Sequence, residues 1–499
     1  MIDQNDIIYF VFTDRFRNGD PDNDYFVNPD DPQAYHGGDF AGIEDKIPYL
    51  KNLGVTAVWI TPVYQNIKET RNEKFRHRAY HGYWPLDFEK VDRHLYSQDP
   101  DIPDGSMKHL KKLSDALHKK GIKLVLDMVV NHVGYEHPWT DEKPDWFHSE
   151  GHNDDIRKYL YGLPDLDLSN PDVIDYFIQN IIEWYKEGNI DGIRMDAVKH
   201  VDKTFWYHLK ASLRGACPGV QIFGEAFYYN PEKVSLFQNF FDFDSMLDFP
   251  MKNALHEVFV NEESFFKIAR PRISDFEQSG VLDQDLKYNN PYRLITFLNN
   301  HDVPRFITDL LNKFGHSGQG RKTAVKTYKM AYTFLLTCRG IPQIYYGDEI
   351  GLEGGENPDN RRDMPWDLFS GHSPDKNKVP EKYEIFQHVK NIIDTRKKNQ
   401  ALRFGTLITL WVDENLMIHL RFIYNNIVIS AFHNGREPMK DYKSIPVEKN
   451  SHIPSRIKNI LKSKKKASSI CNQNNYIYFS GGEFKIKLDD KDSQVYIIN

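Results

Sequence analysis

Within GIRMDAVKH, Gly192 to His200, Arg194 and Asp196 stand two residues apart where an apolar run ends. In a strand such residues share a face, so the guanidinium lies beside the carboxylate and favours its ionised form. A second carboxylate, Glu225, ends the run VQIFGE (220–225) on a strand largely free of cations, where burial favours the protonated form. A third, Asp302, follows His301 in FLNNHD (297–302), and IKLVLD (122–127) ends in Asp127 and leads to Asn131 and His132. An ionised carboxylate and a protonated one on either side of a bond suit glycoside hydrolysis: one attacks the anomeric carbon, the other protonates the leaving oxygen. On this reading Asp196 is the nucleophile, Glu225 the acid/base, and Asp302 steadies oxocarbenium-like charge. Any one strand-end carboxylate is accounted for by a helix cap or a structural ion pair. Several at one rim are not, because uncompensated buried charge is expensive.

Such a rim requires strands that end together. Runs rich in Val, Ile and aromatics recur at 7–12, 55–60, 122–127, 191–196, 220–225, 293–298 and 342–346, with a weaker one near FFDFD (240–244). Amphipathic helical stretches separate them, two of which are expected to stop at Gly121 and Gly188, the second starting at Ser169 or Asn170 before Pro171. Eight strands alternating with helices predict a (β/α)8 TIM barrel with its chemistry at the C-terminal strand ends. An open doubly wound sheet lacks support, since no Gly-rich phosphate loop follows the first strand. GHSGQGRKT (315–323) has the wrong spacing for one. The aperiodic, aromatic interval 133–168 reads as a domain inserted after strand 3, with the barrel in 1–132 and 169–401. From 402 to 499 short strand patterns without a strong helix predict a C-terminal antiparallel β-sandwich. Its lysine run LKSKKKASS (461–469) reads as a solvated loop.

Composition narrows the partners. The chain has 499 residues, enough for several domains, and a net charge of −7, which argues against nucleic acid. Aromatics make up 14% of the residues, enough both to fill the core and to offer flat faces to sugar rings. Three scattered cysteines form neither a disulfide framework nor a zinc site. No signal peptide or membrane span is evident, so a cytoplasmic protein is expected, or a secreted one whose leader has been removed.

The segments DMVVNH (127–132), GIRMDAVKH (192–200), GEAF (224–227) and FLNNHD (297–302) resemble, in order, the four sequence regions of the alpha-amylase family, glycoside hydrolase family 13. GVTAVWITPV (54–63), YHGYWPLDF (80–88), LPDLD (163–167) and GIPQIYYGDEIG (340–351) extend the resemblance. It implies the same three catalytic residues, Asp196, Glu225 and Asp302, acting by a retaining double displacement. It implies that Arg194, His132 and His301 surround the scissile sugar and that His81 and Tyr83 line the same subsite. Lys199 and His200 would lie toward the leaving group, and Arg361 would contact the sugar beyond.

The loop RNGDPDND (17–24) with HGGDF (36–40) is rich in oxygen donors that suit calcium, and it does not have EF-hand spacing. By resemblance its ligands would be Asn18, Asp20, Asn23, Asp24, Asp39 and the Gly37 carbonyl. A second Ca2+ would take Asn131, Asp165 and the His200 carbonyl. The expected activity is endo-hydrolysis of α-1,4 links in an alpha-glucan or maltooligosaccharide substrate, by a monomer. A cyclomaltodextrinase, a maltogenic amylase or a 4-alpha-glucanotransferase is the alternative. The cyclodextrin branches are disfavoured by extra domains not found here, and a non-catalytic binding protein by the three intact carboxylates.

Overall fold

The computed structural model of the chain describes residues 1–71, 76–152, 154–270 and 280–498. Eight parallel strands form the barrel: β1 Ile8–Val11, β2 Ala57–Ile60, β3 Lys123–Met128, β4 Gly192–Met195, β5 Gln221–Gly224, β6 Ser245–Met246, β7 Ile295–Thr296 and β8 Ile341–Tyr345. Their spatial order is β6-β5-β4-β3-β2-β1-β8-β7. An isolated parallel bridge between Leu247 and Ile295 joins the two ends of that order, so the expected barrel is present and nearly closed. The strands are buried almost throughout, as β-branched and aromatic runs covered on both faces must be.

Two local expectations change. The sixth strand is not FFDFD but the next two residues, because the helix Pro231–Phe240 carries on into that segment: the Phe241 amide still bonds the Phe237 carbonyl at 3.2 Å. Asp242 then turns the chain at φ 58 before β6 begins. In α1, Pro171–Gly188, Asn170 caps the start by accepting from the Asp172 amide, as expected, but Gly188 remains helical. The left-handed residue is Asn189, at φ 53, a conformation asparagine tolerates better than most.

Between β3 and α1 the chain leaves the barrel as expected. It is held by isolated bridges His132–Asp165 and Phe147–Leu166 and by packed rings of Trp139, Trp146 and Tyr176. A second excursion, not separated in the sequence, follows β2, with antiparallel pairs Tyr64–Asn66 with Pro85–Val91 and Glu69–Arg71 with Arg76–Arg78.

Past the barrel lie two four-stranded antiparallel sheets. One comprises β9 Thr406–Val412, β10 Leu416–Ile423, β11 Asn426–His433 and β16 Asp492–Ile498; the other, β12 Lys443–Pro446, β13 Lys466–Ser468, β14 Tyr476–Ser480 and β15 Glu483–Ile486. They share a core that includes Ile418, Ile429, Ile445, Ile477 and Phe484. Here the lysine run is not a loop. It spans the end of the helix Ser455–Ser463, whose Ile457 and Leu461 are buried in that core, and the edge strand β13. Lysines on an edge strand hinder edge-to-edge pairing. Among the described residues no helix is long and apolar enough to cross a membrane.

Candidate active site

Register brings the carboxylates together. Asp127 of β3 pairs with Arg194 of β4, and Met195 of β4 pairs with Gly224 of β5. The next residue on each of those two strands is Asp196 and Glu225, so both emerge at one level of the rim. Arg194, with no exposed side-chain surface, lies between them: Nη1 donates to Asp127 Oδ1 at 2.7 Å and to Asp196 Oδ1 at 2.6 Å, and Nη2 lies 2.8 Å from Glu225 Oε2. The last contact is an ion pair by distance but lacks hydrogen-bond alignment.

This corrects the expectation that Glu225 has no cation near it, since alternation along one strand does not reveal what the neighbouring strand presents. Burial still dominates. It pushes the Glu225 carboxyl up to about 8 against the opposing pull of Arg194, and the charges of Asp196 and Asp302 add to the rise. After Asp196 the chain turns at Ala197, a left-handed non-glycine residue at φ 48, and its amide donates to Glu225 Oε2 at 3.3 Å. Backbone strain of this kind concentrates at functional sites.

Asp127, which the sequence showed only as a strand end, is a hub. It accepts from Arg194, from the Tyr83 hydroxyl at 2.9 Å and from Trp59 Nε1 at 3.1 Å. Trp59 went unassigned in the sequence. Its place near the end of β2, alternating with Val58, was the available signal. Phe10 stacks on Trp59 with ring centroids 3.8 Å apart, and both rings are buried.

The expected sugar-facing residues surround this centre. The Tyr83 amide donates to His81 Nδ1 at 2.9 Å, and His132 Nε2 meets the Tyr83 carbonyl at 3.1 Å. The Tyr83 and His301 rings stack 5.1 Å apart. Burial lowers all three histidines, His81 and His301 well below the ordinary range, which favours the neutral imidazole. Asp302, with a side chain 35% exposed, faces open space and lies 3.4 Å from both His301 Nε2 and Arg361 Nη2. Arg361 is buried, and its Nε donates to the His301 carbonyl at 3.0 Å. Lys199 and His200 stand farther out. Lys199 Nζ lies 3.5 Å from the Phe227 carbonyl, and His200 Nδ1 lies 2.6 Å from the Asp155 carbonyl in the inserted domain.

The N-terminal loop gathers the expected oxygen donors. Asn18 Nδ2 donates to both Asp24 oxygens, at 2.9 and 2.8 Å. Asn23 Oδ1 is buried without a partner, a free oxygen of the kind a hard cation takes. A Cβ on Gly37 would lie 2.5 Å from Asp24 Oδ1, so only glycine fits so close, at its φ of 87. Asp39 accepts from the amides of Gly19, Asp20 and Gly42 and from Asn23 Nδ2. Asp20 departs from the pattern: its carboxylate turns away to cap the Asp22 amide at 3.0 Å. In the second set Asn131 Nδ2 donates to Asp165 Oδ1 at 3.1 Å, while His148 Nδ1 lies 2.7 Å from Asp165 Oδ2. Among the described residues no three or more His, Cys, Asp or Glu side chains form a group able to hold a metal. Any cation at either place depends on amide and backbone oxygens as well.

An eight-stranded parallel barrel with clustered carboxylates at its C-terminal rim defines the class, and comparison places the chain within it. The family model for the alpha-amylase catalytic domain matches residues 10–159 and 145–405, and the chain belongs to the alpha-amylase family. It is similar to a beta/alpha-amylase of Paenibacillus polymyxa, 35% identical over 82% of this chain and 32% of that protein; the chain thus spans about a third of that relative's length. Among solved structures it is similar to an Anoxybacillus alpha-amylase, 31% identical with a TM-score of 0.81, over 99% of this chain and 98% of the other. It is also similar to a cyclomaltodextrin glucanotransferase with a three-domain arrangement, 27% identical with a TM-score of 0.78, over 99% of both chains. The last likeness removes domain count as an argument against the cyclodextrin-forming branch.

Proposed function

We propose that the protein is a retaining glycoside hydrolase that cleaves internal α-1,4 links of an α-glucan or maltooligosaccharide by double displacement. The observation that carries this reading is the single buried Arg194 guanidinium shared by Asp196 and Glu225. Two carboxyls on neighbouring nitrogens of one planar group suit the short separation, about 5 to 5.5 Å, of a nucleophile and an acid/base, rather than the wider gap that admits a water between them.

In the first step Asp196 attacks the anomeric carbon while protonated Glu225 gives its proton to the departing glycosidic oxygen. The glycosyl ester forms as the old bond breaks. In the second step Glu225, now ionised, takes a proton from water, whose oxygen attacks the same carbon and frees Asp196. Asp302, His301 and Arg361 would steady the sugar and its developing charge. Tyr83 would offer its ring to the sugar, with His81 and His132 holding that ring's backbone.

Release of free maltooligosaccharides from starch tests the hydrolytic reading. Cyclic products, or longer chains made by transfer, would replace it with the second reading, a glucanotransferase, which the three-domain glucanotransferase similarity favours; cyclodextrin cleaved in preference to starch would replace it with a cyclomaltodextrinase, as in another similar protein. Chromatography of products from starch, cyclodextrin, pullulan and maltotriose separates them.

We also propose Ca2+ at the N-terminal loop, held by Asn18, Asn23, Asp24, Asp39 and the Gly37 carbonyl; Asp20 would have to leave the Asp22 amide to join them. Its contribution there is structural, tying the loop after β1 to the segment around Asp39. A second Ca2+ at Asn131, Asp165 and the His200 carbonyl would have to take Asp165 from His148.

A further inference from the structure

A contact between the inserted domain and the rim lies outside the catalytic centre. Asp155 meets two barrel loops at once. Its carbonyl accepts from or meets His200 Nδ1 at 2.6 Å, after β4, and its Oδ2 accepts from the Tyr228 hydroxyl at 2.8 Å, after β5. The Tyr228 ring has two ammonium groups near it, Lys199 Nζ and Lys233 Nζ, each 5.0 Å from the centroid. Burial raises the Tyr228 phenol to about 12, with Asp155 adding to the rise, so the hydroxyl stays a donor. Tyr228 lies three residues beyond Glu225, and Lys199 three beyond Asp196.

We infer that Tyr228 and Asp155 are positioning residues that hold Lys199 against the sugar on the leaving-group side of the cleaved bond. This rests on the functional reading above. The physical basis is the joint constraint. A lysine has a long, flexible stem, and alone it would sample many rotamers. The aromatic face attracts its ammonium, and the hydroxyl–carboxylate bond fixes that face relative to the inserted domain. Lys233 is attracted to the same ring from the helix after β5, which limits the ring's freedom further. The acceptor sugar then meets a cation already in place, and less ordering is required on binding.

The test compares two substrates. Maltoheptaose places sugars on the leaving-group side; a 4-nitrophenyl maltooligosaccharide cleaved at the aryl bond places none there. Tyr228→Phe removes the hydroxyl and keeps the ring; Asp155→Ala removes its acceptor. Each is expected to lower kcat/KM on maltoheptaose about 5-fold, the size of one typical net hydrogen bond, chiefly through KM. On the aryl substrate both are expected to stay within about twofold of wild type, and the double variant to lose no more than either single one. Unchanged maltoheptaose kinetics, equal losses on both substrates, or additive losses in the double variant would overturn the inference. Tyr228→Phe alone keeps the comparison readable if Asp155→Ala does not fold. Wild-type protein inactive on both substrates would instead overturn the functional reading beneath it.

Discussion

Arg194 Nη1 lies 2.7 Å from Asp127 Oδ1, and neither side chain has any exposed surface. The arginine that stands two residues from Asp196 in the chain is therefore also anchored, through the same nitrogen, by a carboxylate on the neighbouring strand. Tyr83 and Trp59 hold that carboxylate in turn. The guanidinium is fixed before substrate arrives, which is the preorganisation that a charge-developing reaction needs.

Removing this cation should do more than slow a reaction. Arg194→Gln leaves Asp127, Asp196 and Glu225 clustered without their shared positive charge. Breaking a buried ion pair from one side costs about 3–5 kcal/mol. Denaturant unfolding of the variant is expected to show a loss of that size, and a stability equal to wild type would contradict the central position of Arg194.

Asp196→Asn keeps the shape and a hydrogen-bond acceptor but removes the nucleophile. Turnover is expected to fall by about 10⁴-fold or more, while maltooligosaccharide binding, read by calorimetry, persists. Near-wild-type turnover would refute the assignment.

For Glu225 the sign of the pH effect is set by burial. A carboxyl raised to about 8 is protonated below that value and loses its proton as pH rises through it. The free enzyme's kcat/KM is therefore expected to decline on the alkaline side as the acid is lost. Glu225→Gln should cut the rate by about 10² to 10⁴ and abolish that alkaline limb. A limb that survives the substitution belongs to another group.

Double displacement inverts the anomeric centre twice. Proton NMR of the first products from an α-linked substrate should show the α-anomer before mutarotation. The β-anomer would require a water between the carboxyls and exclude Asp196 as nucleophile.

Chelation tests the oxygen cluster around Asn23 and Asp24. A ligand present at a hundredfold its Kd stabilises by about 2.7 kcal/mol, so excess chelator should lower the melting temperature and added Ca2+ restore it. An unchanged melting curve, together with no metal by elemental analysis, would remove the proposal.

Much of this was legible in the chain because the chemistry sits at strand ends. Seven of the eight barrel strands coincide with apolar runs, and three of those runs end in a carboxylate: Asp127, Asp196 and Glu225. The eighth, β6, escaped because two residues carry too little pattern to be told from the helix that runs into them. The edge strand β13 escaped for a related reason: lysines mark solvent exposure without distinguishing a loop from the rim of a sheet. Tyr228 and Asp155 were invisible as partners, since neither stands in a periodic element and 73 positions separate them.

Periodicity and residue type alone determined the alternating barrel and placed Asp196, Glu225 and Asp302 at its C-terminal rim, because side-chain direction in a strand follows from the backbone repeat. Only the tertiary structure decided that Asp196 and Glu225 share one guanidinium, that Asp127 steadies it, and that the inserted domain grips Tyr228. Those relations depend on how neighbouring strands align and where distant loops meet, which closure of the barrel sets and no local stretch of sequence encodes.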